Sequence, residues 1–233
     1  MTQKSHILIV EDEEAIRNGL SDLLIFHGYS IGTAEEGNAG LKLALSGKFD
    51  LILLDVMLPG MNGFDICEAI RQQDKEQAII MLTAKTTDED IIQGLKLGAD
   101  DYVSKPFSVA QLVLRIEAVL RRTLKDVDTG GQIVLSDSII DCLNLSGERQ
   151  GQSVSFTRRE MDILQYLYAN QERPVTRDEL LNKVWGYSRE MSIETRTVDI
   201  HIAKLRRKIE VDPAKPESLV TVRGAGYRLK VPE

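Results

Sequence analysis

The chain is predicted to be an α/β protein: an open, five-stranded parallel sheet covered by helices on both faces, followed by a smaller α+β unit. Three observations predict this. Apolar runs without polar alternation, such as Ile7-Leu8-Ile9-Val10 and Leu51-Ile52-Leu53-Leu54, suit strands buried on both faces. Such runs alternate with helix-period patterns through the first half, as in folds that wrap helices around a parallel sheet. At 233 residues the chain also exceeds the soft prior of ~150 residues for one domain. A polar stretch with a Gly pair and no periodicity, 123–131, divides it into units at 1–122 and 132–233.

Strands are expected near 6–11, 29–33, 50–55, 79–83 and 101–105. Between them, Ile16, Leu20, Leu23 and Leu24 mark the first helix, and Ile91, Ile92 and Leu95 the fourth. Leu112, Ile116, Val119 and Leu120 mark the fifth. Past the linker, 132–135 and 153–156 read as short β pieces, with a turn at Ser146-Gly147. Thr157 and Glu160 form a capping box ahead of Ile163, Leu164 and Leu167. Thr176 and Glu179 repeat the box before Leu180, Leu181, Val184 and Trp185. A third helix, about 194–210, buries the stripe Val198, Ile202, Leu205 and Ile209. The runs 219–222 and 227–229 flank the turn Arg223-Gly224-Ala225-Gly226 as a hairpin.

Composition narrows the function. With 42% hydrophobic residues the chain can bury a core. No apolar stretch approaches the ~20 residues of a membrane span, and residues 1–6 lead into a strand without a signal-peptide core. Cys67 and Cys142 stand far apart without metal-ligand spacing, as ordinary thiols of a reducing cytoplasm do. A cytoplasmic protein without membrane partners is expected. The net charge of -7 is uneven: residues 1–123 hold 12 basic against 19 acidic groups, whereas the remainder holds 17 of each. Within that neutral half, 196–209 sets Arg196, Lys204, Arg206, Arg207 and Lys208 against Asp199 alone. A cation-binding module joined to an anion-binding one is the expected division.

The candidate chemistry sits at strand carboxyl ends, where open α/β sheets bind ligands. Glu11 and Asp12 follow the first strand, Asp55 ends the third, Thr83 the fourth, and Lys105 the fifth. Gathered carboxylates repel unless a cation balances them. A loop reading Glu11-Asp12-Glu13-Glu14 argues against a flavin phosphate site, which calls for glycines. Mg²⁺ takes one or two carboxylates plus other oxygens, so Asp12 and Asp55 would hold it, with Glu11 on a bound water and the Met57 backbone carbonyl as a further ligand. Asp55 is then the nucleophile that forms an acyl phosphate, with Lys105 and Thr83 on the moving phosphoryl oxygens. Pro106 allows a cis bond that would aim Lys105 inward. Singly, each acid is more often a cap or turn residue; the ordered set decides for a site.

These residues, with Asp55-Val56-Met57-Leu58-Pro59-Gly60-Met61-Asn62-Gly63, Thr83-Ala84 and Lys105-Pro106-Phe107, resemble the receiver of two-component response regulators over residues 5 to about 122. The resemblance implies a flavodoxin-like receiver, phosphorylated at Asp55 by a sensor histidine kinase with Mg²⁺. It also implies that Thr83 and Tyr102 reorient together and change the face of the fourth helix, fifth strand and fifth helix.

The second half resembles the winged helix-turn-helix effector of the OmpR/PhoB class over about 130–231. The match rests on Thr157-Arg158-Arg159-Glu160, Val184-Trp185-Gly186, Arg196-Thr197-Val198-Asp199-Ile200-His201-Ile202, Leu205-Arg206-Arg207-Lys208 and Val222-Arg223-Gly224-Ala225-Gly226-Tyr227-Arg228. It implies that Arg196, Thr197, His201, Lys204 and Arg206 face DNA, with Arg207 on the outer side of the helix and Arg223 in the minor groove. Trp185 is either near the DNA backbone or a core anchor. The implied partners are the cognate kinase, duplex DNA with direct-repeat half-sites, RNA polymerase, and a second copy when phosphorylated. Ile92, Leu95, Asp100, Asp101, Val113, Arg115 and Arg122 would form that dimer face. Two departures stand out: Ala203 replaces a basic residue of some members, and Ile91 and Gln111 replace a charged pair, which predicts a weaker dimer. Slow self-hydrolysis without an external substrate is expected, against a magnesium phosphohydrolase or a constitutive DNA-binding regulator as rivals.

Overall fold

The computed structural model describes residues 4–83, 97–123, 131–187 and 196–232, with the side chains of 121–123 and 196 left aside. The chain divides into two compact units, Met1–Lys125 and Asp126–Glu233. The fourth helix expected from Ile91, Ile92 and Leu95 lies outside the described residues, as do the dimer-face candidates Ile92 and Leu95 and the side chains of Arg122 and Arg196.

In the first unit β1 (His6–Val10), β2 (Ser30–Ala34), β3 (Leu51–Asp55), β4 (Ala78–Thr83) and β5 (Asp101–Ser104) form one parallel sheet in the order β2-β1-β3-β4-β5. The register pairs Ile7 with Leu51 and Asp55 with Leu82, so the strands end at a common edge. Side chains alternate between the two faces along each strand. Ile7, Ile9, Leu51, Leu53, Ile80 and Leu82 pack with α1 (Glu14–Phe26) and the helix after β5, α4 (Val109–Thr123). Opposite them lie α2 (Gly37–Ala44) and α3 (Gly63–Gln73). A Cβ on Gly40 would stand 2.5 Å from Val10 Cγ1, so only glycine lets α2 lie this close to β1.

The second unit opens with an antiparallel meander of β6 (Gln132–Val134), β7 (Ser138–Asp141), β8 (Ser146–Arg149) and β9 (Gln152–Ser155). The turn expected at Ser146-Gly147 is corrected here: these residues begin β8, with Ser146 opposite Asp141. The reversal comes earlier. The Asp141 carboxylate accepts from the Leu143 and Asn144 N–H groups, and Leu145 takes a φ of 47°. Gly147 is in the strand because the Ile139 carbonyl and the Phe156 ring leave no room for a side chain.

Three helices follow, α5 (Arg158–Ala169), α6 (Arg177–Lys183) and α7 (Arg196–Ile209), and then the hairpin β10 (Leu219–Val222) and β11 (Gly226–Leu229). The Thr157–Glu160 capping box is complete. At Thr176 only half forms: its hydroxyl accepts from the Glu179 N–H, while the Glu179 side chain turns to Arg173 and Tyr166. Val198, Ile202, Leu205 and Ile209 are all buried, as the helical spacing predicted. The unit's architecture is that of a winged helix, with the hairpin as wing.

The wing depends on Gly226. Its φ is +114°, and an added Cβ would collide with the Val175 carbonyl, where β11 meets the bridge Val175↔Tyr227. Gly226→Ala is therefore expected to destabilise the second unit by ~1–3 kcal/mol. Urea unfolding followed by the fluorescence of Trp185, the single tryptophan, measures this; an unchanged midpoint would contradict it.

Candidate functional site

The first site forms where β1, β3, β4 and β5 end. Carboxylate oxygens of Glu11, Asp12 and Asp55 lie within 4.8 Å of one another, with Glu11 and Asp55 buried and Asp12 exposed. Lys105, next after β5, reaches into the cluster: its ammonium donates to Glu11 Oε2 at 2.6 Å and to Asp55 Oδ2 at 2.9 Å. The Lys105-Pro106 peptide is cis. Burial raises the Glu11 pKa, the Lys105 hydrogen bond works against that, and the Asp55 charge adds to it. Burial opposes the Lys105 charge, but the hydrogen bonds with Glu11 and Asp55 outweigh it and raise its pKa. Asp55 Oδ1 accepts from the Met57 N–H at 3.2 Å, while the Met57 side chain stands exposed. Thr83 is fully buried at the end of β4, and Tyr102 is buried on β5 opposite Met81.

Three expectations about the dimer face are corrected. Asp100 points inward: Oδ2 accepts from Arg71 at 3.0 Å and from the Ile79 N–H at 2.9 Å. Asp101 is also buried, its carboxylate bound within the chain by Arg115 at 2.6 Å. Val113 belongs to the core beneath the sheet, whereas Val109 and Leu114 are the apolar residues α4 exposes. Sequence spacing did not reveal Arg71, which crosses from α3 to bond the Gly98 and Gln77 carbonyls as well as Asp100.

In the second unit α7 presents fewer cations than its composition suggests. The expectation that Thr197, His201, Lys204 and Arg206 all face DNA is corrected. Thr197 and Lys204 are buried, and Lys204 pairs with Glu160 at 3.1 Å. Lys208 reaches the other oxygen of that carboxylate at 2.5 Å. His201 is 1% exposed, its Nδ1 faces the Thr197 carbonyl at 3.1 Å, and its ring meets Trp185 edge-on. Trp185 is a core anchor, stacked by the Arg159 guanidinium. Arg206 is turned to the wing, bonding the Leu219 carbonyl and Thr221 Oγ1 at 2.8 Å each. Arg207 and Arg223 remain exposed, as does Ala203.

A network that residue types alone did not reveal joins α6, α7 and the wing. Arg177 Nε donates to Asp199 Oδ1 at 2.6 Å, Tyr227 Oη donates to the same oxygen at 2.6 Å, and the Arg177 guanidinium also covers the Tyr227 ring. The one signal was Asp199 itself, the lone acid of a basic helix.

Comparison with known proteins gives each unit a family. Residues 7–117 match the model of the response regulator receiver domain, and 151–229 that of the C-terminal domain of transcriptional regulatory proteins. The alkaline phosphatase synthesis transcriptional regulatory protein PhoP of Bacillus subtilis is 41% identical over 235 residues, covering 97% of each chain. A solved RitR mutant superposes with a TM-score of 0.74 at 32% identity, over 98% of this chain and 100% of that one. DrrB, a Thermotoga maritima OmpR/PhoB homologue, gives a TM-score of 0.52 at 32% identity, over 97% and 99%. The chain belongs to the two-component response regulators of the OmpR/PhoB class, with a receiver and a DNA-binding transcription-regulator domain. Among the described residues no helix is long and apolar enough to cross a membrane.

The buried groups around Trp185 set a pH dependence. Burial, then the Lys204 and Arg159 charges, push the His201 pKa down to about 3. Burial would raise that of Glu160, but the charges of Lys204 and Lys208 bring it to about 2. An unfolded histidine gains its proton near pH ~6.5 and an unfolded glutamate near ~4.3, while the folded groups resist. Both contributions are present at neutral pH. The His201 contribution falls away as the pH drops from ~6.5 towards 3, and that of Glu160 below ~4.5. The urea midpoint reported by Trp185 is expected to fall between pH 7 and 5, and His201→Phe to flatten that decline; a flat wild-type profile would contradict the assignment.

Proposed function

We propose that this chain is a phosphorylation-controlled transcription factor whose Asp55 accepts a phosphoryl group from the phosphohistidine of a cognate sensor kinase. The observation that carries this reading is the gathering of Glu11, Asp12 and Asp55 around Lys105 at one sheet edge. The donor set is all oxygen, which suits a hard divalent cation. Buried Glu11 Oε1 has no hydrogen-bond partner, as expected of an atom that faces a bound ion or its water. Asp12, Asp55 and the Met57 carbonyl would hold Mg²⁺ directly, and Glu11 one of its waters.

When bound, Mg²⁺ would supply positive charge to the equatorial oxygens of the phosphoryl group. A carboxylate oxygen of Asp55 attacks phosphorus, the bond to the imidazole nitrogen breaks, and its electron pair stays on that nitrogen. Lys105 then transfers a hydrogen bond from the carboxylates to a phosphoryl oxygen. Thr83 donates its hydroxyl hydrogen to another, and Tyr102 follows inward. Hydrolysis of the acyl phosphate is slow, because the exposed Met57 side chain has no base to orient water.

Phosphorylation favours a homodimer through the receiver face of β5 and α4, on which Val109 and Leu114 stand exposed. The Asp101–Arg115 pair is made within one chain, so the exposed apolar groups supply most of the contact. Dimerisation raises the effective concentration of the paired winged helices on direct-repeat half-sites in duplex DNA, from which the protein would engage RNA polymerase in the cytoplasm. Arg207 and Arg223 are the described side chains that reach DNA, Arg223 from the wing into a minor groove. Thr197, His201, Lys204 and Arg206 serve instead to hold α7 against α5 and the wing.

Sedimentation equilibrium with Mg²⁺, with and without fluoroberyllate, tests the switch. A shift from monomer towards dimer that Asp55→Asn abolishes is expected; a shift that survives the substitution would overturn the role of Asp55. For the wing, Arg223→Ala should weaken binding to duplex DNA and reduce the salt slope of log K by ~1 if it meets a phosphate. Unchanged affinity would remove Arg223 from the interface.

A further inference from the structure

The acidic loop that presents Glu11 and Asp12 is not held by its own helix cap. Glu13, the N-cap of α1, makes no side-chain capping bond. The loop is held instead by Arg17, one turn into α1. Arg17 Nη1 donates to the Glu11 carbonyl at 2.8 Å and to the Asp12 carbonyl at 3.0 Å. Its Nη2 is tethered to Glu35 Oε2 at 3.3 Å, and its own backbone N–H closes the first helical turn on the Glu13 carbonyl. Only 13% of the Arg17 side chain is exposed, although among the described residues its charge pairs only with the exposed Glu35.

The peptide between Asp12 and Glu13 links this contact to the site. Its carbonyl oxygen lies on Arg17. The two ends of a planar peptide point in opposite directions. Fixing the carbonyl on the guanidinium therefore sets the plane of this peptide and the direction in which the Asp12 side chain leaves the backbone. One guanidinium nitrogen, Nη1, meets both carbonyls while Nη2 holds Glu35, a planar fork whose fixed geometry a single ammonium nitrogen does not reproduce.

Resting on the metal-binding reading of the acidic site, we propose that Arg17 is a positioning residue that holds the backbone of Glu11 and Asp12 so that their carboxylates converge on a divalent cation. It touches neither the cation nor the phosphoryl group. It acts from behind the loop, as the outer partners of metal ligands do.

The test is calorimetric titration of Mg²⁺ into the full chain at a temperature where circular dichroism shows every variant folded. Arg17→Ala is expected to weaken Mg²⁺ binding about tenfold, the low end of the effect of removing an outer-shell partner. Arg17→Lys, which keeps the charge but loses the planar fork that joins the two carbonyls to Glu35, is expected to fall between Arg17→Ala and the wild type. Wild-type affinity in Arg17→Ala would overturn the inference. Wild-type affinity in Arg17→Lys would show that charge alone matters and would overturn the positioning role. Should Arg17→Ala fail to fold, Arg17→Lys decides by itself. Asp12→Asn separates the two levels: if it binds Mg²⁺ as the wild type does, or if the wild type binds none, the metal reading falls and the inference with it.

Discussion

Three carboxylates within 4.8 Å of one another repel, and among the described residues the counter-charge bonded to them is one ammonium, that of Lys105, against Glu11 and Asp55. Much of the unit's architecture serves to bring these groups together. The parallel register ends β1, β3, β4 and β5 at one edge, and strand order places β3 between β1 and β4. Lys105 follows β5 yet reaches past the end of β4 to its partners on β1 and β3. One cation against three acids leaves the cluster net negative, which attracts a second, exchangeable cation. Burial of Glu11 and Asp55 strengthens every one of these interactions, since charges in a low-dielectric setting are screened little.

The second unit solves the opposite problem. Glu160 is a wholly buried carboxylate between two lysines, Lys204 and Lys208, and it also completes the capping box at Thr157. One acid thereby ties the start of α5 to two turns of α7. His201 and Trp185 pack beside it, and the Arg177–Asp199–Tyr227 contacts fasten the other flank of α7 to the wing. A buried charge with excellent partners contributes little net stability, yet removing one partner is costly. The arrangement fixes the direction of α7 more than it adds free energy. What α7 leaves outward is a narrow strip that includes Ala203 and Arg207.

Much of this was legible in the chain itself. Unbroken apolar runs located the strands of the first unit, period-3.6 patterns located the described helices, and the capping box at Thr157 was visible as Thr-x-x-Glu. Glu11, Asp12, Asp55, Thr83 and Lys105 announced themselves because strand carboxyl ends are recognisable from apolar runs. Helical periodicity also identified the buried stripe of α7. It misjudged the flank, because a wheel sorts residues by angle on one helix and does not know how widely the neighbours cover it. Thr197, His201 and Lys204 lie under that wider cover. Asp100 and Val113 were misplaced for the same reason: Arg71 arrives from another helix, and α4 seats Val113 against the sheet.

The sequence by itself determined the element order, the division into two units, and which residue types end the strands. Those are local properties, set by hydrophobic period, turn chemistry and charge along the chain. Only the tertiary structure decided which charges answer one another. Lys105 meets acids 94 and 50 residues away, Lys208 meets an acid 48 residues away, and Arg17 turns back onto the carbonyls of the loop before it. Ion pairs and carbonyl contacts of that kind depend on distances of about 3 Å. A linear pattern specifies the faces that meet, but only packed backbones bring single atoms that close.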